Sequence, residues 1–247
     1  MEVLKFNLSG RTAFFKKPDV NSIVCFTYGN IHKVALMGIL GACLGLKGYN
    51  QQTKDDEYPE FYSELENIKI SIVPKNEFGY IDKKIQRFNN SVGYASKEEG
   101  GNLIVKEQWL ENPNWDIYIQ LEDTDICRDL KNRFLSNKFV YIPYLGKNDH
   151  IANISGIELI SDAYKSESVD KIDSFFTRED FEFEKYDFDD DDDDYEEPFK
   201  YQEKLPCKLD RITNQYILET IIFTNMPVKL LSKKDVYKVR DMNLIFI

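Results

Sequence analysis

The sequence predicts an α+β fold whose elements run β-α-β-(hairpin)-β-α-β-β. Three observations carry this. Several segments alternate apolar and polar residues with the period of a half-buried strand. Two segments carry helical patterns, one apolar throughout and one amphipathic. Between them lies a long polar stretch punctuated by the turn signals NEFGY, NNSVGY and EEGGN.

Glu2–Ser9 sets Val3, Leu4, Phe6 and Leu8 against Glu2, Lys5 and Asn7, and reads as a strand with one buried face. Ser9 and Gly10 end or bulge it, and a polar loop with an apolar patch follows. Asn30 is the expected N-cap of a helix running to about Leu46 and stopping at Gly48. Gly38, Gly41 and Gly45 fall on one face of that helix, which predicts close packing on a sheet. Ile68–Val73 reads as the next strand, and Lys75–Leu110 as a long hairpin leaving the body. Trp115–Leu121 alternates again. Asp123–Leu135, capped near Asp123 or Thr124, turns Ile126, Cys127, Leu130 and Phe134 inward. KFVYIPYLGKND is expected to form a short strand pair broken by Pro143, and Ile154–Ile160 a further strand. Composition becomes polar, then acidic, from Ser161 to Pro198, and the last strands come from QYILETIIFTN and DVYKVRDMNLIFI within 205–247. This order is that of the ferredoxin-like, RRM-type domain, here one domain over 1–247 with a 75–110 hairpin and a 179–197 insertion.

Composition excludes a disordered chain: 42% of 247 residues are apolar and 14% aromatic. The longest uncharged apolar run, Val34–Leu46, is shorter than the roughly 20 residues a membrane span needs. The N-terminus MEVLKFNLSG has no apolar signal-peptide core, and Cys25, Cys43, Cys127 and Cys207 form no C-x-x-C pair. Reduced thiols, a cytoplasmic location, no membrane, no metal and no cofactor are expected. Charge is uneven. Glu179–Glu197 holds 13 acidic residues and one lysine, a net of −12, so the remainder of a chain with formal charge −11 carries +1. Residues 1–54 hold seven Lys and Arg against two acids. Overall acidity therefore does not exclude a nucleic-acid partner. Six adjacent aspartates, Asp189–Asp194, repel one another and read as a disordered insertion, either solvated or masking the basic surface.

That basic surface is expected where the strand end Ser9, Gly10 and Arg11 meets Lys16, Lys17, His32 and Lys33. The helix start at Asn30–His32 would add unpaired N–H groups and a positive dipole end. Phe14, Phe15 and Tyr28 would offer rings to bases, each stack worth about 1–3 kcal/mol. In the hairpin, DKKIQRF contributes Lys83, Lys84 and Arg87. Gly146 and Lys147 let backbone N–H groups and an ammonium approach phosphate, although no P-loop is present. Catalytic candidates are few. The two histidines, His32 and His150, lack metal-ligand spacing. Tyr28, His32 and Lys33 are the residues from which a metal-independent endoribonuclease, the alternative reading, would be built.

Three blocks, LKFNLSGRTAFFKKPDVNS, TYGNIHKVALMGILGACLGL and YIPYLGKNDHIANI, resemble the CRISPR-associated Cas-five family of RAMP proteins, and most closely its type I-B (Hmari) subtype. The blocks span about Leu4–Leu46 and Phe139–Ile154. The resemblance implies an RRM-like fold with a hairpin thumb and a non-catalytic subunit of the Cascade surveillance complex. Such a subunit grips the 5′ handle of the CRISPR RNA (crRNA) and joins the backbone subunit (Cas-seven) to the large subunit (Cas-eight) in a complex that engages target DNA for antiviral defence. The acidic insertion departs from the family pattern, and His32-Lys33 stands where an arginine-type residue is expected.

Overall fold

The computed structural model describes residues 1–19, 23–166, 169–184, 197–231 and 234–247. The chain opens with β1 (Val3–Ser9), whose alternation buries Leu4, Phe6 and Leu8 completely on one face. A kink at Gly10 leads into the two-residue β2 (Thr12–Ala13). Then come α1 (Lys33–Leu44), the short α2 (Glu60–Leu65), β3 (Ile70–Pro74), β4 (Lys83–Asn89), β5 (Ile104–Glu111), β6 (Asn114–Gln120), α3 (Asp125–Ser136) and β7 (Asn153–Ile160).

Four of these strands make an antiparallel sheet ordered β3-β6-β1-β7. β1 is interior, pairing along its length with β6 and, across an irregularity between Lys5 and Asn7, with β7. Residues two apart on each strand, Leu4-Phe6-Leu8, Ile70-Ile72 and Trp115-Ile117-Ile119, join α1 and α3 in one core. β4 and β5 form a separate in-register hairpin, Lys83 opposite Leu110 and Asn89 opposite Ile104, and β2 adds to the base of β5.

The C-terminal third is built of strands: β8 (Tyr164–Lys165), β9 (Phe176–Thr177), β10 (Phe181–Phe183), β11 (Lys200–Leu209), β12 (Tyr216–Thr224), β13 (Val228–Leu230), β14 (Val236–Val239) and β15 (Met242–Ile245). β11 and β12 make a long hairpin with β9 at its edge; β10 pairs with β13, and β14 lies between β15 and β8. Tyr201, Leu205, Cys207 and Leu209 of β11 enter the core that holds α1. Packed against α2, β11 and α3, α1 needs no polar face, as its sequence shows. On the sheet's other face Val3, Val73, Tyr118 and Ile160 pack with Val239 and Leu244.

Several sequence expectations are corrected. α1 starts later and ends earlier than the pattern suggests. His32, not Asn30, is the N-cap, its Nδ1 accepting the Ala35 N–H at 3.1 Å. Gly45, at φ +86°, closes the other end as Leu46 N–H and Gly45 N–H return to the carbonyls of Gly41 and Ala42. The glycine face meets α2 and Val140 rather than a sheet: a Cβ on Gly41 would lie 2.6 Å from Phe61 Cβ, and one on Gly45 3.0 Å from Val140. α2 itself was not anticipated; its six residues are held by buried Phe61, Tyr62 and Leu65. KFVYIPYLGKND forms no strand pair, only a single bridge between Tyr144 and Ile151. The first part of the acidic stretch is folded: Phe181 is buried and β10 pairs with β13, because its aromatic residues alternate with the acids. Asp189–Asp194, expected to be disordered, lie outside the described residues.

Candidate nucleic-acid interface

The Gly10 kink is set by close packing. Its N–H donates to the Pro113 carbonyl at 3.2 Å, and a Cβ there would lie 2.6 Å from Leu145 Cδ1. The chain then runs along the base of the β4–β5 hairpin through β2. Beyond it, Cys25 bridges to Glu107 in β5. On the far side lies the loop of residues 143–151. Phe14 N–H donates to the Leu145 carbonyl at 3.0 Å, and Gly146, at φ +91°, sits so close to the Phe14 carbonyl that any Cβ would overlap it. Three segments remote in sequence therefore meet: the kinked strand end, the hairpin base and the glycine-lysine loop.

Five of the expected contact groups are interior. Phe14 and Tyr28 are buried, as is Phe15. Asn30 is fully buried, donating to the Gly79 carbonyl at 2.9 Å and accepting from Trp115 Nε1 at 2.8 Å. His32 is enclosed by Phe15, Tyr28 and Tyr216 at ring distances of 6.0, 5.2 and 5.3 Å. Those rings surround the N-cap of α1, whose imidazole already takes the Ala35 N–H. Burial pushes the His32 pKa down to about 3 and the Tyr28 phenol up to about 12. Neither is poised for proton transfer at neutral pH. The reason is elementary: rings and an uncharged imidazole gain more from burial than from display.

The cations divide into two groups. Arg11, Lys16, Lys83 and Arg87 are exposed. Others are engaged. Lys17 pairs with Glu203 at 3.2 Å and lies 5.2 Å from the Tyr28 ring centroid. Lys84 pairs with Glu111 at 3.0 Å. Lys147 pairs with the buried Glu107 at 3.1 Å and covers the rings of Phe14 and Phe88. Lys33 is half-buried, and desolvation lowers its pKa; the residues acting on it are Cys207, Lys208, Glu219 and Lys234, away from the kink. Ser9 is at the strand end, where Asn153 Nδ2 donates to its Oγ at 3.3 Å.

Sequence reasoning missed the groups that organise this region. Glu107 accepts from Trp109 Nε1 at 2.8 Å as well as from Lys147. His150 is buried, its Nδ1 2.7 Å from Thr12 Oγ1 and its ring edge-to-face with Trp109, and desolvation lowers its pKa. Thr27 Oγ1 accepts the Phe15 N–H and donates to the Tyr28 carbonyl. A period-two pairing of Glu107 with Trp109 on one strand face was the one local signal available. Exposed Val92, Tyr94, Leu103 and Ile104 crowd the far end of the β4–β5 hairpin. Among the described residues no group of three or more His, Cys, Asp or Glu could hold a metal ion, and no helix is long and apolar enough to cross a membrane.

The arrangement is a mostly β, mixed fold carrying an exposed cationic hairpin base, and solved CRISPR proteins share that fold. A crystal structure of a CRISPR protein from Archaeoglobus fulgidus matches over 100% of this chain and 99% of its own, at 10% identity and a TM-score of 0.51. A chain of a CRISPR RNA-guided surveillance complex matches over 93% of this chain and 91% of its own, at 8% identity and a TM-score of 0.51. Neither a family model nor a curated protein matches the sequence.

Proposed function

We propose that this chain is a non-catalytic, crRNA-binding subunit of a type I-B CRISPR surveillance complex, of the Cas-five kind. The observation that carries the reading is the end-to-end fold match to a surveillance-complex chain. The β3-β6-β1-β7 order, with α1 and α3 in one core with it, supports reading the body as a ferredoxin-like RAMP domain. The β4–β5 hairpin is its thumb. Arg11, Lys16, Lys83 and Arg87 face the 5′ handle of the crRNA, and contact is mainly to phosphate and to splayed bases. The subunit joins the Cas-seven backbone to the Cas-eight large subunit in the cytoplasm, and target DNA is met only within that complex, where guide pairing reads sequence. Endoribonuclease activity is disfavoured by the burial of Tyr28 and His32, the acid-base pair it would use.

Co-expression with a type I-B repeat array and the other complex subunits tests this. The chain is expected to co-purify with RNA ending in the repeat-derived handle, and omitting it is expected to leave the handle open to nuclease. Repeat RNA incubated with the pure chain in EDTA is expected to stay intact. A discrete cleavage product would make the chain the processing enzyme instead.

A further inference from the structure

Glu203 of β11 reaches across to the loop before α1. Its Oε2 accepts the Gly29 N–H at 2.8 Å and the Tyr201 O–H at 2.6 Å, and its Oε1 lies 3.2 Å from Lys17 Nζ. A Cβ on Gly29 would stand 2.8 Å from that carboxylate, 2.9 Å from the Tyr201 oxygen and 3.4 Å from Lys83 Nζ. One backbone N–H, one phenol and two ammonium groups thus surround a space that only the absence of a side chain on Gly29 keeps open. Charge-assisted donors converging in this way are a receptor for an oxyanion. Two cations are more than one carboxylate neutralises. The Glu203 side chain is 17% exposed and that of Lys17 30%, so the pair borders solvent while Gly29 and Tyr201 lie buried behind it.

We propose that this cradle is a phosphodiester site, filled by the chain's own Glu203 until RNA displaces it. The proposal rests on the RNA-binding reading and adds its regulation. A phosphodiester carries the same single charge as the carboxylate and can accept the same N–H and O–H bonds. Displacement costs the Lys17–Glu203 pair, so the empty subunit binds RNA less tightly than its exposed cations allow. Within an assembled complex, where the handle is held at high local concentration, the exchange becomes favourable. Random single strands are discriminated against.

The test is a double-mutant cycle read by titration of a fluorescent single-stranded RNA. Glu203→Gln keeps an oxygen acceptor for Gly29 and Tyr201 but releases Lys17. It is expected to tighten binding about tenfold at low salt and to steepen the salt slope by about 0.7, one further phosphate contact on a single strand. Lys17→Ala is expected to weaken binding less in the wild-type background, where Glu203 already neutralises Lys17, than in the Glu203→Gln background, where it should abolish the gain. Glu122→Gln removes the same charge from the Lys69–Glu122 pair, at the far end of β6 from the hairpin base, and measures the effect of charge alone. If Glu203→Gln gains no more than Glu122→Gln, or if Lys17→Ala weakens binding equally in both backgrounds, the latch is overturned. If no variant, wild type included, binds RNA, the RNA-binding reading fails and the latch falls with it. Should Glu203→Gln not fold, Glu203→Asp draws the carboxylate back by one methylene and is expected to tighten binding in the same direction; unchanged affinity would count against the latch.

Discussion

The ammonium of Lys147 lies 3.1 and 3.2 Å from the two carboxylate oxygens of Glu107, tying the glycine-lysine loop to the hairpin base. The Glu107 side chain is 8% exposed, so the pair protects a charge that water barely reaches. Lys147→Met leaves that carboxylate with Trp109 as its remaining donor. The expected loss is about 3 kcal/mol in urea unfolding at pH 7, and Glu107→Gln added to it should recover most of this, because the cost comes from the stranded charge. A Lys147→Met protein as stable as its parent would mean that the pair is solvated.

Gly38 and Gly41 separate two effects of a glycine in a helix. A Cβ at Gly38 meets nothing nearer than a Phe61 ring carbon at 3.9 Å, whereas at Gly41 it meets Phe61 Cβ at 2.6 Å. Gly38→Ala is therefore expected to stabilise by up to about 1 kcal/mol through helix propensity. Gly41→Ala should destabilise despite the same gain, and Gly41→Leu by about 1–3 kcal/mol through overpacking. Thermal melts of the three variants decide; equal behaviour at the two positions would rule out tight α1–α2 packing.

Buried His32 makes stability depend on pH. Its pKa falls from 6.5 to about 3 in the folded chain. Above pH 6.5 neither state carries the proton. Below it the unfolded chain binds a proton that the folded chain refuses, so stability falls as pH falls, by about 1.4 kcal/mol per unit. Between pH 7 and 5 this amounts to about 2 kcal/mol. His150 acts in the same direction. His32→Asn retains a capping side chain and should flatten the slope by about one proton. Urea midpoints at the two pH values measure it, and an unchanged slope would place the titration elsewhere.

Arg11, Lys16 and Arg87 are three of the four exposed cations available to phosphate; the fourth, Lys83, lines the Gly29 cradle. Replacing all three with Ala is expected to weaken single-stranded RNA binding and to lower the salt slope by up to about 2, at roughly 0.7 per contact. Lys33→Ala, on a half-buried residue away from the kink, should leave the slope alone. A slope that responds to Lys33 and not to the triple variant would move the interface.

What the sequence made legible was periodicity. β1, β6, β7 and α3 each carry an apolar stripe that local pattern exposes, and each lies within a residue or two of its expected bounds. What stayed hidden depends on partners remote in the chain. Asn30 looked like a cap because nothing near it reveals Trp115 and the Gly79 carbonyl, which consume both ends of its amide. Phe14 and Tyr28 looked available for stacking because a basic neighbourhood hides the fact that a ring's default place is inside. Lys17 looked free because its counter-charge, Glu203, arrives from β11. Composition alone classed 161–198 as polar, although Ile172, Phe175, Phe176 and Phe181 within it are buried.

The interior position of β1 has a consequence for biosynthesis. Leu4, Phe6 and Leu8 leave the ribosome well before their last hydrogen-bonding neighbour, β7, which ends at Ile160. At 5–20 residues per second, translation of the intervening ~150 residues takes on the order of 10 s. Throughout that interval a strand with a fully apolar face has an open edge, and any fragment stopped short of Ile160 keeps it open. The nascent chain is thus most prone to self-association before the sheet can close, and a helper that covers Val3–Ser9 during synthesis, whether chaperone or assembly partner, would raise the yield of folded protein without altering its final stability.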